Sequence, residues 1–469
     1  MFVGRERELK SLEDKYASNK FEFVVMRGRR RVGKSTLLKE FSKDKKDVIY
    51  FLSQERNFKK SITQLSKTVN EYIGKGTSVY DDFEPLFEDV FIASKEKRIL
   101  LILDEFPYLA NSDKSLMSIL QTLIDTYHEE SKLFLILCGS SISFMENKVL
   151  AYKAPLYGRS TGQMVIKPFF FDVAQKYFDN YSNVDKIIAY SIYGGIPAYL
   201  RTINNKKSIK ENIIQSFLNE DGSLYDEPNI LIKEELREPA VYNSIIEAIA
   251  NGNTKNNEIS TKVGEQRDKI GVYLKNLLEL QIITREYPST DKSHSKKSLY
   301  KLKDNLFQFW YRFISENKSK IEFDNDKSEV YDRLIKPYLE EYVGRIFEDI
   351  CMEYFLLNIS NRKNKLPFTF DKIGRWWDSN PKTKQEEEID LLIFTNDNKN
   401  SFFVECKWRN EKVGLDILKD LQRKSELLNQ FENRYYGICS KSGFKKDLLD
   451  YSEIHDDVYL YDLNDICNM

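Results

Sequence analysis

The stretch FEFVVMRGRRRVGKSTLLKEF, residues 21–41, decides how the first half of the chain is read. An apolar run breaks at Gly28, and helical periodicity resumes after Lys34, so the order is strand, loop, helix. The loop fits G-x-x-x-x-G-K-[ST] at Gly28, Gly33, Lys34 and Ser35, with Arg29, Arg30, Arg31 and Val32 between the glycines and Thr36 following. The glycines let backbone N–H groups turn inward around phosphate oxygens, and the helix N-terminus that follows adds its partial positive charge. Lys34 would reach the β- and γ-phosphates of ATP, and Ser35 would ligate Mg²⁺.

Working outward, VIYFLS (48–53), RILLILDEF (98–106) and LFLILCGSS (133–141) are further apolar strand candidates separated by helical stretches. Such alternation predicts a parallel sheet covered on both faces. Asp104 and Glu105 close the second of these runs at the strand end where α/β sites open. Asp104 is expected to hold Mg²⁺, and Glu105 to orient or deprotonate the attacking water. Ser140 could sense the γ-phosphate or be a plain turn serine. Arg159, in APLYGRST, could be an arginine finger, in cis or across a subunit interface, or a lone surface charge. GGIPAYL puts Gly194, Gly195 and Pro197 inside a helical region, where they predict a break.

At 469 residues the chain can hold several domains, and 41% hydrophobic with 31% charged residues is ordinary for a globular protein. The net charge of −1 confines any nucleic-acid affinity to local patches. Five Cys without a CxxC pair and three His argue against zinc, so a bound metal is expected to be hard and carboxylate-held. There is no apolar run of membrane-spanning length and no signal-peptide core at MFVGRERELK, which predicts a cytoplasmic protein with no membrane partner.

From about residue 170 the pattern is helical. In 241–303, NNEISTKVG, QRDKIGVYLKNLLELQII and TREYPSTDKSHSKKSLYKLK read as helix, helix and hairpin, the order of a winged helix. This segment carries 11 Lys/Arg against 7 Asp/Glu, with Lys292, Lys296, Lys297, Lys301 and Lys303 gathered in the wing. Wings grip phosphates, and the helix beginning near Gln266 would enter the major groove of DNA. A solvated charged hairpin or a protein-binding winged helix is the plainer alternative. An aromatic helical connection, NLFQFWYRFI, leads into a last α/β unit.

FVGRERELKSLE, GRRRVGKS, LLILDEF, GSS, APLYGRSTGQMVIKPF and GGIPAYL together resemble the archaeal-type ATPase family of the AAA+/STAND superfamily. The resemblance continues through SLYDEPNILIKEELREPAVYNSIIEAIANGNTKNNEIS and into the C-terminal domain of unknown function that many members carry. It implies that the backbone of Val3, Gly4 and Arg5 borders the adenine, that Pro197 touches the nucleotide from a lid, and that Arg159 has a finger or sensor role. Asp226–Pro228 belongs to the match without an evident role.

The C-terminal unit has its own chemistry. SFFVECKWRN (401–410) sets Glu405 and Lys407 on one face of a strand. EEEIDLLIF places Asp390 fifteen residues earlier, and TNDNKNS supplies the turn that can bring Asp390 beside Glu405. Glu348 and Gln422 sit on flanking helices. Glu, Asp and Glu-x-Lys across helix, strand and strand resemble the PD-(D/E)xK nuclease core. That resemblance implies one Mg²⁺ on Asp390, Glu405 and the Cys406 carbonyl, with Glu348 completing the shell and Lys407 acting on water or phosphate. Ile389 departs from the motif's proline, and a degenerate domain that binds without cutting remains open.

The expected architecture is therefore α/β: a P-loop ATPase core (1–168) with a parallel sheet, a helical lid (169–238), a winged helix (239–303), a helical connector (304–339) and a restriction-endonuclease-like domain (340–469). The expected function is an ATP-hydrolysing AAA+/STAND protein acting on DNA, able to form homo-oligomers. A nucleotide-switched regulator or scaffold, or a toxin-antitoxin or defence component, is the alternative.

Overall fold

The computed structural model describes residues 2–291, 295, 297–359 and 366–468. Lys292 and Lys296 of the expected wing lie outside them. The chain divides into two compact units, one of residues 1–168 with 196–198, the other of 169–195 with 199–469.

In the first unit, β1 (Glu22–Arg27), β2 (Val48–Leu52), β3 (Ile99–Asp104), β4 (Leu133–Gly139) and β5 (Gly162–Val165) form one sheet in the order β2-β3-β4-β1-β5, parallel throughout. Alternation along the strands serves two cores. Phe23, Val25, Leu101, Leu103 and Leu135 pack with the helices Phe58–Ile73, Phe83–Glu96 and Leu116–Tyr127. Val24, Met26, Leu100, Ile102 and Ile136 pack on the other face with Leu12, Leu37 and Leu38 from the helices Glu6–Ala17 and Lys34–Ser42. This two-sided burial is why the strands read as continuous apolar runs. β1 lies between β4 and β5, so the loop leaving its C-terminal end opens at the switch point of the sheet.

The second unit begins with helices. The helix Asn183–Tyr193 stops at Gly194 and helical structure restarts at Pro197, the break that the sequence predicts. Asp226–Pro228 acquires a structural role here. Asp226 accepts from Lys318 at 2.7 Å, and Glu227, 2% exposed, accepts from the Tyr199 hydroxyl at 3.0 Å. The helices Pro239–Ala250, Asn256–Val263 and Arg267–Glu279 precede an antiparallel hairpin of β6 (Ile283–Glu286) and β7 (Leu299–Leu302). The long helix Lys336–Leu357 then leads into a mixed sheet. Its strands are β8 (Lys372–Ser379), β9 (Glu386–Phe394), β10 (Asn400–Lys407), β11 (Asn433–Ser440) and β12 (Val458–Tyr461), in the order β12-β11-β10-β9-β8. β8, β9 and β10 form an antiparallel meander, while β11 and β12 run parallel to β10.

Glu353 on the long helix is half-buried and ties it to the start of this unit. Its carboxyl accepts from the Phe171 N–H at 2.8 Å and lies 2.9 Å from the Tyr190 hydroxyl, which is 3.2 Å from the Phe169 carbonyl. Burial pushes its pKa up to about 8, against the smaller lowering by its Phe171 and Tyr190 partners. A protonated carboxyl suits the contacts, because it can donate to the tyrosine oxygen and free that O–H for Phe169. The unfolded chain ionises Glu353 near 4.3 while the folded chain keeps the proton, so stability falls as pH rises between those values. Each pH unit in that window costs at most about 1.4 kcal/mol. Glu353→Gln keeps every hydrogen bond without the proton. Urea midpoints of variant and wild type should coincide near pH 5, diverge in favour of the variant toward pH 8, and stay parallel above it. A difference independent of pH would refute the assignment.

Candidate functional site

The phosphate loop is shaped by close backbone approach. A Cβ on Gly28 would stand 2.4 Å from the Ile166 carbonyl oxygen, and Gly33 has φ +92°, where L side chains are strained. Arg31, at φ 69°, makes the other left-handed turn. Lys34 is buried, and its Nζ donates to the carbonyls of Gly28 (2.8 Å) and Arg29 (3.1 Å), which holds the ammonium inside the loop. Arg30 donates to the Tyr108 hydroxyl at 3.1 Å. Arg5, buried and at φ 70°, donates to the Val32 carbonyl (3.0 Å) and the Lys167 carbonyl (2.7 Å), so the Val3–Arg5 segment is fastened to the loop. Pro197 arrives on the same side: its Cγ lies 3.6 Å from the Cβ position of Gly33.

Asp104 is fully buried at the end of β3, with Oδ1 accepting from the Glu105 N–H (3.0 Å) and Oδ2 from Tyr50 (2.6 Å). Burial, and then the Asp104 carboxylate, push the Tyr50 phenol far up, so Tyr50 remains a donor to that carboxylate. Glu105 is left-handed at φ 51°, an arrangement that costs on the order of 1 kcal/mol and is met at functional sites. Its Oε2 accepts from both the N–H (3.2 Å) and the hydroxyl (2.8 Å) of Ser140. Ser140 thus has a defined contact: it holds the carboxylate beside the loop. Tyr50 was not foreseen. Its polar tip, in the otherwise apolar run VIYFLS, was the available signal.

In the second unit, the β9–β10 ladder pairs Phe403 with Leu392, which brings Asp390 level with Glu405. The ladder ends there, and the Cys406 N–H turns to Asp390 Oδ2 at 2.7 Å. Glu405 is 6% exposed; Oε1 is 2.5 Å from Lys407 Nζ and 3.7 Å from Lys424 Nζ, and Oε2 is buried with no hydrogen-bond partner among the described residues. Lys424, two residues beyond Gln422 on the helix Leu415–Ser425, is the helical side chain that reaches the site. Burial, and then the charges of Glu405 and Glu348, push the Asp390 carboxyl well up. Three carboxylates therefore feel one another here. Glu348 has a further partner. Arg375 on β8, buried, binds Glu348 (2.9 Å), Asp349 (2.7 Å) and Glu286 of β6 (3.1 Å). Its oxygen Oε2 is taken by a guanidinium that the strand pattern gave no reason to expect.

Residues 2–203 match the family described as an ATPase domain predominantly from Archaea, and residues 310–423 match a family of archaeal and bacterial proteins of unknown function. An uncharacterized protein of Methanocaldococcus jannaschii is 37% identical over 476 residues, covering 99% of this chain and 100% of that one. The chain belongs to the same family as this relative, one that carries an ATPase domain found predominantly in Archaea. An uncharacterized ATP-binding protein of the same organism is 50% identical over 46 residues, 10% of this chain and 78% of its own. A Walker-type ATPase of Pyrococcus abyssi shares the fold at 20% identity and a TM-score of 0.50, covering 66% of this chain and 96% of that one.

The structure narrows two expectations for this ATPase. Arg159 is at the wrong end of the sheet to act in cis. β5 pairs in parallel with β1, Gly162 opposite Val24, so Arg159 lies before the start of β1 while the phosphate loop opens after its end. At about 3.3 Å per residue the separation is about 15 Å or more. Its guanidinium is held by Asp125 at 2.6 and 2.7 Å. The β6–β7 hairpin is also less free than its charge suggests. Lys297 pairs with Asp378 of β8 (2.7 Å), Lys301 with Glu286 (2.9 Å), and the Ser289 N–H donates to the Arg375 carbonyl (2.8 Å). The hairpin thus commits Lys297 to Asp378 of the neighbouring sheet and Lys301 to Glu286 of its own strand β6.

Proposed function

We propose that this ATPase uses Mg·ATP and acts on DNA through a metal-dependent phosphodiesterase site in its C-terminal domain. The observation that carries the reading is the meeting of Asp390, Glu405 and Lys407 on one sheet face, with a buried Glu405 oxygen left unpartnered. The order helix, three-strand meander, helix and parallel strand is that of a PD-(D/E)xK core. Asp390 and Glu405 would hold the Mg²⁺, which when bound supplies charge neutralisation for a phosphate and acidifies a water. Lys407, reaching the same carboxylate, orients water or countercharges the phosphate, and Lys424 stands as a second cation.

In the first unit Ser35 and Asp104 would hold Mg²⁺, Lys34 binds the phosphates, and Glu105, braced by Ser140, aligns the attacking water. DNA contact is assigned to the helix Arg267–Glu279, whose Arg267, Lys269, Val272 and Lys275 are exposed along its outer side, in a winged-helix arrangement. The Lys269–Glu265 and Lys275–Glu279 pairs, at 3.2 and 4.0 Å on the surface, are weak enough to yield to phosphates.

Arg159 acts across a subunit interface in this reading. Its pair with Asp125 is exposed and worth about 0–1 kcal/mol, so a γ-phosphate can replace it. Mixing Arg159→Ala with Lys34→Ala protein should restore part of the ATPase activity that each lacks alone. A mixture that stays inactive despite demonstrated subunit exchange removes the finger.

The second reading, a nucleotide-switched regulator whose C-terminal domain binds without cutting, is favoured by Arg375, which occupies Glu348. A cleavage assay on DNA and RNA forms with Mg²⁺ or Mn²⁺, with and without ATP, separates the two. Divalent-dependent nicking supports the nuclease, and its absence under every condition leaves the regulator.

A further inference from the structure

Three of the five cysteines meet on the opposite face of β10 from Glu405 and Lys407. Alternation sends Glu405 and Lys407 toward the helix Leu415–Ser425, and Phe402 and Cys406 toward the long helix Lys336–Leu357. Cys406 and Cys439 are partners in the parallel β10–β11 ladder, and Cys351 reaches them from the long helix. The three sulfurs lie within 4.8 Å of one another, and all three residues are buried. Phe355 packs edge-on against Phe402 and Tyr461 beside them, which gives the cluster an aromatic wall.

A metal–sulfur bond of about 2.3 Å places coordinating sulfurs about 3.8–4.0 Å apart. The triangle therefore needs to tighten by no more than about 1 Å, which small χ1 rotations supply. Among the described residues no further His, Cys, Asp or Glu joins the group, so the donors are sulfur alone. Such a set selects soft d¹⁰ ions and rejects Mg²⁺, the opposite preference to the carboxylates across the strand. We propose that Cys351, Cys406 and Cys439 form a three-thiolate site for one thiophilic d¹⁰ cation of the Zn(II) or Cu(I) class. An ion there ties the long helix to β10 and β11, the elements that carry Glu348, Glu405 and Lys407, and so acts as a structural clamp behind the carboxylate site. The proposal stands independently of DNA cleavage.

The test uses the full chain, reduced and stripped of metal, and titrated with Cd(II) in excess Mg²⁺. A single equivalent should bind with a thiolate-to-cadmium absorption band, and the unfolding temperature should rise because the ion binds the folded state. Cys351→Ala with Cys439→Ala should lose the band, whereas Cys138→Ala, Cys467→Ala and Asp390→Ala should keep it. Wild type without bound ion or band overturns the proposal, as does a band that survives the double substitution. Should the double variant fail to fold, X-ray absorption at the zinc edge of reconstituted wild type decides. Three sulfur neighbours support the site, and a shell of oxygen or nitrogen refutes it.

Discussion

Glu105→Gln should bind ATP as wild type does and hydrolyse it roughly 10²–10⁴-fold more slowly, the range a positioned general base contributes. The substitution preserves shape. A glutamine oxygen can still accept from the Ser140 N–H and hydroxyl, now at 3.2 and 2.8 Å from Glu105, and the left-handed backbone at φ 51° is unchanged. What disappears is the negative charge that aligns and deprotonates water. Lys34→Ala should behave differently, because it removes the ammonium that the Gly28 and Arg29 carbonyls hold inside the loop and so weakens binding itself. Nucleotide affinity and single-turnover hydrolysis measured on both variants separate the two effects. Equal hydrolysis by Glu105→Gln and wild type would remove Glu105 from catalysis.

The first unit was legible because its signals are local. The loop motif, the apolar strand runs and the Asp-Glu pair at the end of β3 each follow from neighbouring residues, and the alternation of continuous apolar runs with helical stretches placed them on a two-sided sheet. What adjacency in sequence does not encode was missed. Tyr50 meets Asp104 only because β2 and β3 are neighbours in the sheet. Arg375 of β8 joins Glu286 of β6 to Glu348 and Asp349 of the long helix, and no spacing announces such a hub. The cysteines show no CxxC spacing, yet 351, 406 and 439 converge through sheet register and helix packing. Arg159 shows the converse limit for a role in cis. Its position before a strand suggested the site, but a parallel strand puts the residue before it at the far edge.

Asp390→Ala and Lys407→Ala should part company although their side chains meet the same carboxylate neighbour. Asp390 is a hard-cation ligand in the proposed site, so its loss should remove divalent binding by the C-terminal domain and bring cleavage to background. Lys407 ligates nothing. Its Nζ contacts Glu405 Oε1 at 2.5 Å, and replacing it leaves both carboxylates in place while deleting the charge that meets the phosphate. Divalent binding should persist, and cleavage should fall by about 10²–10³-fold, the scale set by removing one charge-stabilising donor. ATP hydrolysis should be unaffected in both, since Lys34, Asp104 and Glu105 belong to the other unit. Calorimetric Mn²⁺ titration, a nicking assay and an ATPase assay on the same preparations read the three outcomes. General misfolding of the domain would abolish metal binding in both variants, so retention in Lys407→Ala alone marks chemistry. If Lys407→Ala loses the cation as completely as Asp390→Ala, the ammonium is a structural partner of Glu405 and the domain binds without cutting.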